Sequence, residues 1–254
     1  MIYCPKGHLG VITVHKLIVK YEMHFEGPWH IGSGQDRGLV DSAVILQRIP
    51  LDNGKVEYRP VIPGSTVKGR LRTACEDIAV LLGLDVIDPH DDGPGSLPAF
   101  TPHKSSGYIV NRLFGSRFAG ECLFVSDAVW QGEYHDQLNR QPRTGVSLDR
   151  LTGTAKPKHL FHIETVLGGT LVGSIEAFHH AEDLMAESGF PSEYALLLLG
   201  LQSLKQLGGK RSIGWGQVST RIMSVTYNDQ PVEEEIWRNP EVLALIENWD
   251  GGAK

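Results

Sequence analysis

The 254-residue sequence predicts an α+β fold in a single domain. Two observations lead to this prediction. Four segments have the composition or the alternation of strands, and two other segments repeat their apolar residues near the spacing of a helix. Their order along the chain is strand–helix–strand–strand–helix–strand, with long insertions between some of the elements.

The first predicted strand is 16–26, KLIVKYEMHFE, in which apolar and polar side chains alternate. A turn-rich stretch at 27–38 follows it, and then a second apolar segment at 39–48. The other predicted strands lie at 121–130, 170–178 and 216–227.

The first predicted helix follows Pro63-Gly64, with Ser65 as its N-cap. Its apolar residues recur at helical spacing: Val67, Leu71, Ala74, Ile78, Leu81 and Leu82. The second predicted helix spans 191–208, and glycines 208–209 are placed to end it as a C-cap.

Three segments lie outside this core. Residues 87–110, rich in Asp, Pro, Gly, Ser and His, are expected to form an exposed loop or lid. The segment 137–162 has weak periodicity and is expected to project as an irregular arm. A short acidic helix is expected at about 234–248. The order of the remaining elements fits a ferredoxin-like or RRM-like core with insertions.

Charge is unevenly distributed along the chain, whose net charge is −6. Residues 229–254 carry seven acids and two bases, and residues 76–92 carry six acids and no base. Residues 137–162 carry five bases and one acid. Two further basic clusters are Lys68, Arg70 and Arg72, and Lys205, Lys210 and Arg211. Segregation of this kind favours a nucleic-acid surface, although basic runs are more often plain solvated faces.

Several classes of protein and site are disfavoured. No apolar run approaches the roughly 18–20 residues of a membrane helix, and the chain start lacks a secretory pattern, so a cytoplasmic protein without a membrane partner is expected. Cys4, Cys75 and Cys122 lie far apart and form no CxxC pair, which predicts small buried thiols. The glycines at 30–38 lack dinucleotide-loop spacing. His162-Ile-Glu164 lacks the P-C-x-x-C that a zinc deaminase needs.

The glycine-rich segment 208–216, GGKRSIGWG, has the features of a phosphate-binding loop. Glycines let backbone N–H groups approach an anion, and Lys210 and Arg211 add positive charge. Trp215 is suited to stacking on a base. The alternative interpretation is a tight helix-to-strand turn with a buried tryptophan.

A second candidate for phosphate binding is the start of the first helix, residues 65–72. Lys68 and Arg72 lie four residues apart on one helix face, near exposed backbone N–H groups. The alternative is a solvated helix face.

Six motifs occur in a fixed order along the chain: HIG (30–32), VDSAVI (40–45), IPGSTVKGRLR (62–72), LFGS (113–116), DRLTGTA (149–155) and GGKRSIGWGQV (208–218). Together they resemble the RAMP superfamily, and most closely the repeated backbone subunits of type III CRISPR effector complexes. The resemblance covers roughly residues 16–226.

The resemblance implies an RRM-like palm with a thumb hairpin at about 137–165 and a lid at about 87–110. It implies that copies of the chain stack along a guide CRISPR RNA, beside other subunits of the complex, and that each thumb kinks the duplex of guide and single-stranded target RNA. The sequences of the N-terminal extension, of the His- and Pro-rich 87–110 loop and of the acidic C-terminal helix match no part of the family pattern.

The resemblance also implies the chemistry. In catalytic members an aspartate in the loop after the first strand cleaves target RNA with a transiently bound divalent metal, Mg²⁺ or Mn²⁺, and the matching residue is Asp41. Asp36 in the same loop is a second candidate. The predicted RNA-binding residues are His30, Ser65, Lys68, Arg70, Arg72, Arg143, Arg150, Lys156, Lys158, Gly209, Lys210, Arg211 and Trp215.

Two alternatives stay open at this point. The chain could be a structural RNA-binding subunit in which Asp41 is inactive. It could instead be a stand-alone processing endonuclease that cuts precursor RNA through a histidine, with His24, His30 and His162 as candidates. Metal dependence separates the chemistries, because histidine acid–base cleavage of RNA proceeds in the presence of a chelator.

Overall fold

The structure is a computed structural model that describes residues 15–50, 54–84, 86, 109–116, 120–179, 189–239 and 244. The strands of this part are β1 (His15–Trp29), β2 (Leu46–Pro50), β3 (Val56–Ile62), β4 (Leu123–Val125), β5 (Ala128–Trp130), β6 (Arg140–Leu148), β7 (Ala155–His179), β8 (Val218–Tyr227) and β9 (Gln230–Pro231). The helices are α1 (Gly64–Leu81), α2 (Ile109–Phe114), α3 (Asp136–Asn139), α4 (Ser192–Ser203) and α5 (Glu234–Trp237).

The strands form one antiparallel sheet in the order β2-β3-β5-β7-β1-β8-β9, and β4 and β6 also pair with β7. In the centre of the sheet, β1 lies between β7 and β8. Helix α1 lies in the chain between β3 and the short strands β4 and β5, and α4 connects β7 with β8. This arrangement confirms the predicted α+β class and agrees with a ferredoxin-like core.

Strand β1 contains the whole predicted strand 16–26 and is longer at both ends. Its alternation buries one face completely, which includes Leu17, Val19, Tyr21 and Met23, while Lys20 on the other face is exposed. Each such buried side chain contributes about 1.5–3 kcal/mol from the removal of apolar area from water. The alternating pattern therefore fixes which face of the sheet receives the helices.

Helices α1 and α4 pack closely because a glycine stands where they meet. A Cβ on Gly200 of α4 would lie 2.5 Å from the Cys75 sulfur of α1. The Cys75 thiol donates to the Leu196 carbonyl at 3.6 Å, and burial raises the pKa of this thiol. Cys75 and Cys122 are both free cysteines, and Cys75 is buried as expected. Cys4 lies outside the described residues.

The expected N-cap of the first helix is wrong by two residues. The helix begins at Gly64, Pro63 occupies the cap position without a side-chain cap hydrogen bond, and Ser65 lies exposed in the first turn. The Gly64 N–H instead donates to the Asp127 carboxylate at 2.8 Å. A Cβ on Gly64 would lie 2.0 Å from the Val125 carbonyl oxygen, so only glycine fits at this position.

Two other predicted boundaries are wrong. The segment 121–130 forms two short strands, β4 and β5, because Ser126-Asp127 leaves the strand to cap α1. Helix α4 ends at Ser203, where Leu204 turns extended, so glycines 208–209 are not its C-cap. The predicted strands 170–178 and 216–227 correspond to the end of β7 and to β8.

The weak periodicity of 137–162 suggested an irregular arm. The structure instead shows an antiparallel hairpin. Strand β6 pairs with the first half of β7, from the Arg140–Val166 pair to the Leu148–Ala155 pair. We call β6, its turn and residues 155–166 the hairpin. The expected lid at 87–110 lies outside the described residues except for 109–110, which begin α2.

Only one helical turn, α5, is described at the start of the expected acidic helix 234–248, and most of its remaining residues lie outside the described part. Along the described chain, no helix combines the length and the apolar composition needed to cross a membrane.

Candidate functional site

The loop between β1 and β2, residues 30–45 and here called the front loop, is docked on the base of the hairpin. The Asp41 N–H donates to the His162 carbonyl at 2.9 Å, and the Glu164 N–H donates to the Ser42 carbonyl at 3.0 Å. Ser42 and Ile163 form an isolated parallel bridge. The second half of the front loop is thus added to the hairpin as a short extra strand.

This docking holds the carboxylate of Asp41 in a defined position. Asp41 Oδ2 accepts a hydrogen bond from the His162 N–H at 2.6 Å, while the residue as a whole is exposed. Asp36 is also exposed and lies in the same loop, next to Arg37, whose backbone pairs with Val40. The structure therefore places both predicted carboxylates in one loop and orients Asp41 against the hairpin.

His30 joins three parts of the site. Its Nδ1 lies 2.7 Å from the Glu164 carbonyl and its Nε2 lies 3.1 Å from the Ser42 hydroxyl. Because a carbonyl only accepts, Nδ1 carries a proton, and in the neutral ring Nε2 accepts from the hydroxyl. The Gly209 N–H donates to the His30 carbonyl at 2.9 Å. His30 is buried, so its ring holds the front loop in place, and its predicted contact with RNA stays a prediction.

The glycine-rich loop, residues 208–216, has a glycine with positive φ at each end, and the first of them packs against the front loop. A Cβ on Gly208 (φ +90°) would lie 2.3 Å from the His30 carbonyl oxygen. A Cβ on Gly216 (φ +73°) would lie 1.9 Å from the Leu207 carbonyl oxygen. Both positions therefore require glycine for conformation and for space.

The basic residues of the glycine-rich loop face outward. Lys210 takes a left-handed conformation and places its ammonium 5.3 Å from the centre of the Phe161 ring on the hairpin. Arg211 is exposed in a short 3₁₀ turn, Arg211–Ile213. Trp215 is partly exposed rather than buried, and its stacking on a base stays a prediction.

Two of the predicted basic residues on α1 are used inside the protein. Lys68 forms an ion pair with Glu121, which ties α1 to the segment before β4. Arg72 pairs with Glu76 at 2.8 Å and donates to the Asn111 side chain at 2.7 Å. Neither residue lies on a simple solvated face, and their predicted contacts with RNA stay predictions.

Arg70 lies on α1 and is partly buried, whereas Arg211 is exposed on the glycine-rich loop. Burial and then the charge of Arg211 lower the pKa of Arg70, and the Asp77 carboxylate only partly opposes this effect.

The hairpin presents the other predicted bases to solvent. All four are exposed: Arg143, Arg150, Lys156 and Lys158. Its turn is held by the Asp149 carboxylate, which accepts from the N–H groups of Leu151 and Thr152 at 2.9 and 3.1 Å. These hydrogen bonds lower the pKa of Asp149. Leu151 at the tip is 99% exposed, so the hairpin carries an apolar side chain at its outer end.

The sequence did not single out the ion-pair network beneath the front loop. The buried Glu164 carboxylate accepts from the Val44 N–H at 2.9 Å and lies 2.9 Å from Arg140 and 3.5 Å from Arg37. Burial opposes the charge of Arg140, but the hydrogen bonds of Asp136 and the charge of Glu164 outweigh it and raise its pKa. The sequence signal that could have indicated this network is a single acid, Glu164, close to the basic segment 137–162.

In the front loop, the exposed Asp41 carboxylate is oriented by the His162 N–H, and a divalent ion bound there stays a prediction. Among the described residues, no group of three or more His, Cys, Asp or Glu side chains is arranged to hold a metal. Mg²⁺ at phosphoryl-transfer sites is commonly held by one or two carboxylates together with phosphate oxygens and water. An exposed carboxylate fixed through one oxygen, as in Asp41, suits the protein's share of such a site.

A model of the RAMP superfamily matches residues 22–219, and the chain belongs to this superfamily. The match includes every predicted site residue and confirms the family that the six motifs suggested. The chain is also similar to the CRISPR system Cms endoribonuclease Csm3 of Streptococcus thermophilus, with 27% identity over 231 residues. The alignment covers 85% of this chain and 91% of that protein.

Proposed function

We propose that this chain is a guide-RNA-binding backbone subunit of a type III CRISPR complex and that it cleaves complementary target RNA with Mg²⁺ or Mn²⁺. One observation carries the proposal. The front loop with Asp41, the glycine-rich loop and the basic hairpin meet at one place, where backbone hydrogen bonds join all three. Membership of the RAMP superfamily and the name of the similar endoribonuclease support the same function.

RNA binding rests on exposed positive charge within an otherwise acidic chain. Four exposed bases lie on the hairpin, and Lys210 and Arg211 are exposed on the glycine-rich loop. Phosphates attract such groups regardless of sequence, which suits a subunit that must accept any guide. We further propose that neighbouring copies and other subunits bind the same guide and that the complex works in the cytoplasm.

The proposed chemistry is cleavage by the 2′-hydroxyl next to the scissile phosphate. This oxygen forms a bond to phosphorus, the bond to the 5′ oxygen of the next nucleotide breaks, and water protonates that oxygen, which leaves a 2′,3′-cyclic phosphate and a 5′-hydroxyl. In this proposal the Asp41 carboxylate, which accepts from the His162 N–H, takes the hydroxyl proton or holds a hydrated ion. A divalent ion, when bound, neutralises charge that builds up on the phosphate.

The remaining contribution of the protein is positioning. The hairpin and the front loop are bonded to each other, so RNA held by one is presented to the other in a fixed geometry. A site with one carboxylate predicts slow turnover that depends strongly on this geometry.

Cleavage is tested with the assembled complex, a guide and a labelled complementary RNA, in Mg²⁺ and in EDTA. We expect cuts at regular intervals in Mg²⁺ and none in EDTA or with a non-complementary RNA. Cuts that persist in EDTA would overturn the metal-dependent step and favour the histidine alternative. Tight binding without cuts would favour the structural alternative.

Guide binding is tested separately through its salt dependence. Arg211→Ala and Arg70→Ala should each make the fall of log affinity with log salt less steep. The magnitude of the slope should decrease by about one for each phosphate that the protein no longer neutralises. Arg221→Ala is the matched control, because Arg221 is an exposed arginine of β8 that pairs with Glu22. Equal slopes in all three variants would contradict the proposed phosphate site.

A further inference from the structure

The N–H that orients Asp41 belongs to the peptide bond between Phe161 and His162. It donates to Asp41 Oδ2 at 2.6 Å, and the His162 carbonyl accepts from the Asp41 N–H at 2.9 Å. The direction of both hydrogen bonds depends on the orientation of the hairpin backbone at these two residues. A contact that holds Phe161 in place therefore also helps to hold the Asp41 carboxylate.

One contact of the Phe161 ring is with the facing strand of the hairpin. Phe161 pairs with Gly145 in the ladder of β6 and β7. A Cβ on Gly145 would lie 2.4 Å from two carbon atoms of the Phe161 ring, so the ring occupies the space that a side chain at this position would take. An aromatic ring placed over a cross-strand glycine covers the glycine backbone and stabilises the pair.

The other contact of the ring comes from the glycine-rich loop. Lys210 Nζ lies 5.3 Å from the ring centre, within the range of a cation–π interaction. The loop holds Lys210 from both sides: its carbonyl accepts from the Ile213 N–H at 3.2 Å, and the Gly209 N–H before it donates to the His30 carbonyl. The backbone of Lys210 has φ +59°, which glycine adopts more readily than lysine. A lysine thus stands at a position that suits glycine, and its side chain reaches the hairpin.

These contacts connect the glycine-rich loop with the candidate cleavage site. Lys210 contacts Phe161, Phe161 shares a peptide bond with His162, and the N–H of that peptide holds Asp41. A cation–π contact at an exposed site shifts an equilibrium by roughly two- to fivefold. Such a shift changes the overall stability of the chain little, but it is large enough to change how often one carboxylate is correctly oriented.

We propose that Lys210 and Phe161 are positioning residues for the cleavage step, because their contact holds the peptide that orients Asp41. The inference rests on the proposed function and adds two residues to the same site. Neither side chain transfers a proton or contacts the reacting atoms. The role of Lys210 in this inference is its contact with the ring, and binding of Lys210 to a guide phosphate alone is the alternative that the experiment separates from it.

Hydrogen exchange of the His162 amide in the full chain tests this contact without any cleavage. Phe161→Leu and Lys210→Met should each speed the exchange about two- to fivefold, whereas Phe161→Tyr and Lys210→Arg should keep it near the wild-type rate. Phe178→Leu is the matched control. Phe178 lies at the other end of β7 and has the Lys16 ammonium 5.8 Å from its ring centre, so its loss should leave the exchange at His162 unchanged.

Cleavage by the assembled complex, at equal guide content and saturating target, tests the consequence. Phe161→Leu and Lys210→Met should each slow cleavage about fivefold with little change in target affinity. The double variant should be no slower than the slower single variant, because both changes remove one contact. Unchanged exchange at His162, or cleavage rates that multiply to roughly 25-fold in the double variant, would overturn the inference even if the wild type cuts. Faster exchange in both variants with no cleavage by the wild type would uphold the contact and overturn only the proposed activity.

Discussion

Replacing Glu164 tests the ion-pair network that supports the front loop. The carboxylate is buried, accepts the Val44 N–H and faces Arg140 at 2.9 Å. Removing one partner of a buried ion pair costs about 3–5 kcal/mol. Arg140 keeps both hydrogen bonds to Asp136, at 2.7 Å each, which reduces this cost. We therefore expect Glu164→Gln to lower the free energy of unfolding by about 2–3 kcal/mol.

For a chain of this size, that loss corresponds to a fall in Tm of roughly 5–10 °C. Thermal unfolding followed by circular dichroism measures it. Glu176→Gln is the matched control, since Glu176 lies on the same strand and is only half-buried, and we expect a change within about 0.5 kcal/mol. A Tm for Glu164→Gln within roughly 1–2 °C of the control would refute the assigned role of the network.

Three further predictions concern the frame of the site. Gly216→Ala should destabilise the chain by more than about 2 kcal/mol in urea unfolding. Gly209→Ala should cost less than about 1 kcal/mol, because a Cβ on Gly209 would lie 3.7 Å from its nearest neighbour, the His30 ring. Equal effects would contradict the assigned turn. Hydrogen bonds from its arginine partner lower the pKa of Asp136, so its stabilising contribution is present above about pH 4 and is lost as the pH falls further. Stability measured from about pH 6 to about pH 3 should therefore fall less steeply in Asp136→Asn, and an identical slope would refute this. Cys75, buried with a raised pKa, should resist alkylation until the chain unfolds, as peptide mapping would show; rapid labelling of the folded chain would contradict the packing.

The sequence predicted the elements whose signals are local. Strand β1 and the body of α1 show their burial directly in the spacing of apolar residues, because one face of each is buried. The predicted boundaries were wrong where the group that determines the end of an element is distant in sequence. The start of α1 depends on Asp127, which lies 63 residues away from Gly64 and leaves no signal in the sequence around Ser65.

The family resemblance implied the hairpin, but the hydrophobic pattern did not. Residues along β6 are exposed or only partly buried, so the strand lacks the apolar alternation that marks a buried face. Its order comes from the ladder with β7 and from the turn that Asp149 closes. Neither feature can be derived from hydrophobic periodicity.

The candidate site was only partly predictable. The motifs located Asp41 and the glycine-rich loop, and the structure brings them together through His30. A basic cluster in a sequence does not show whether its charges are already used, and the ion pair of Lys68 with Glu121 shows the difference.

The most direct test of the account compares Asp41→Asn with Asp36→Asn in the assembled complex, with labelled complementary RNA and Mg²⁺. Asp41→Asn should abolish the regular cuts while guide loading and target affinity stay nearly unchanged, because only the transition state gains from this carboxylate. Asp36→Asn should reduce cleavage only modestly. Regular cuts that persist in Asp41→Asn and vanish in Asp36→Asn would contradict the assignment of the catalytic carboxylate.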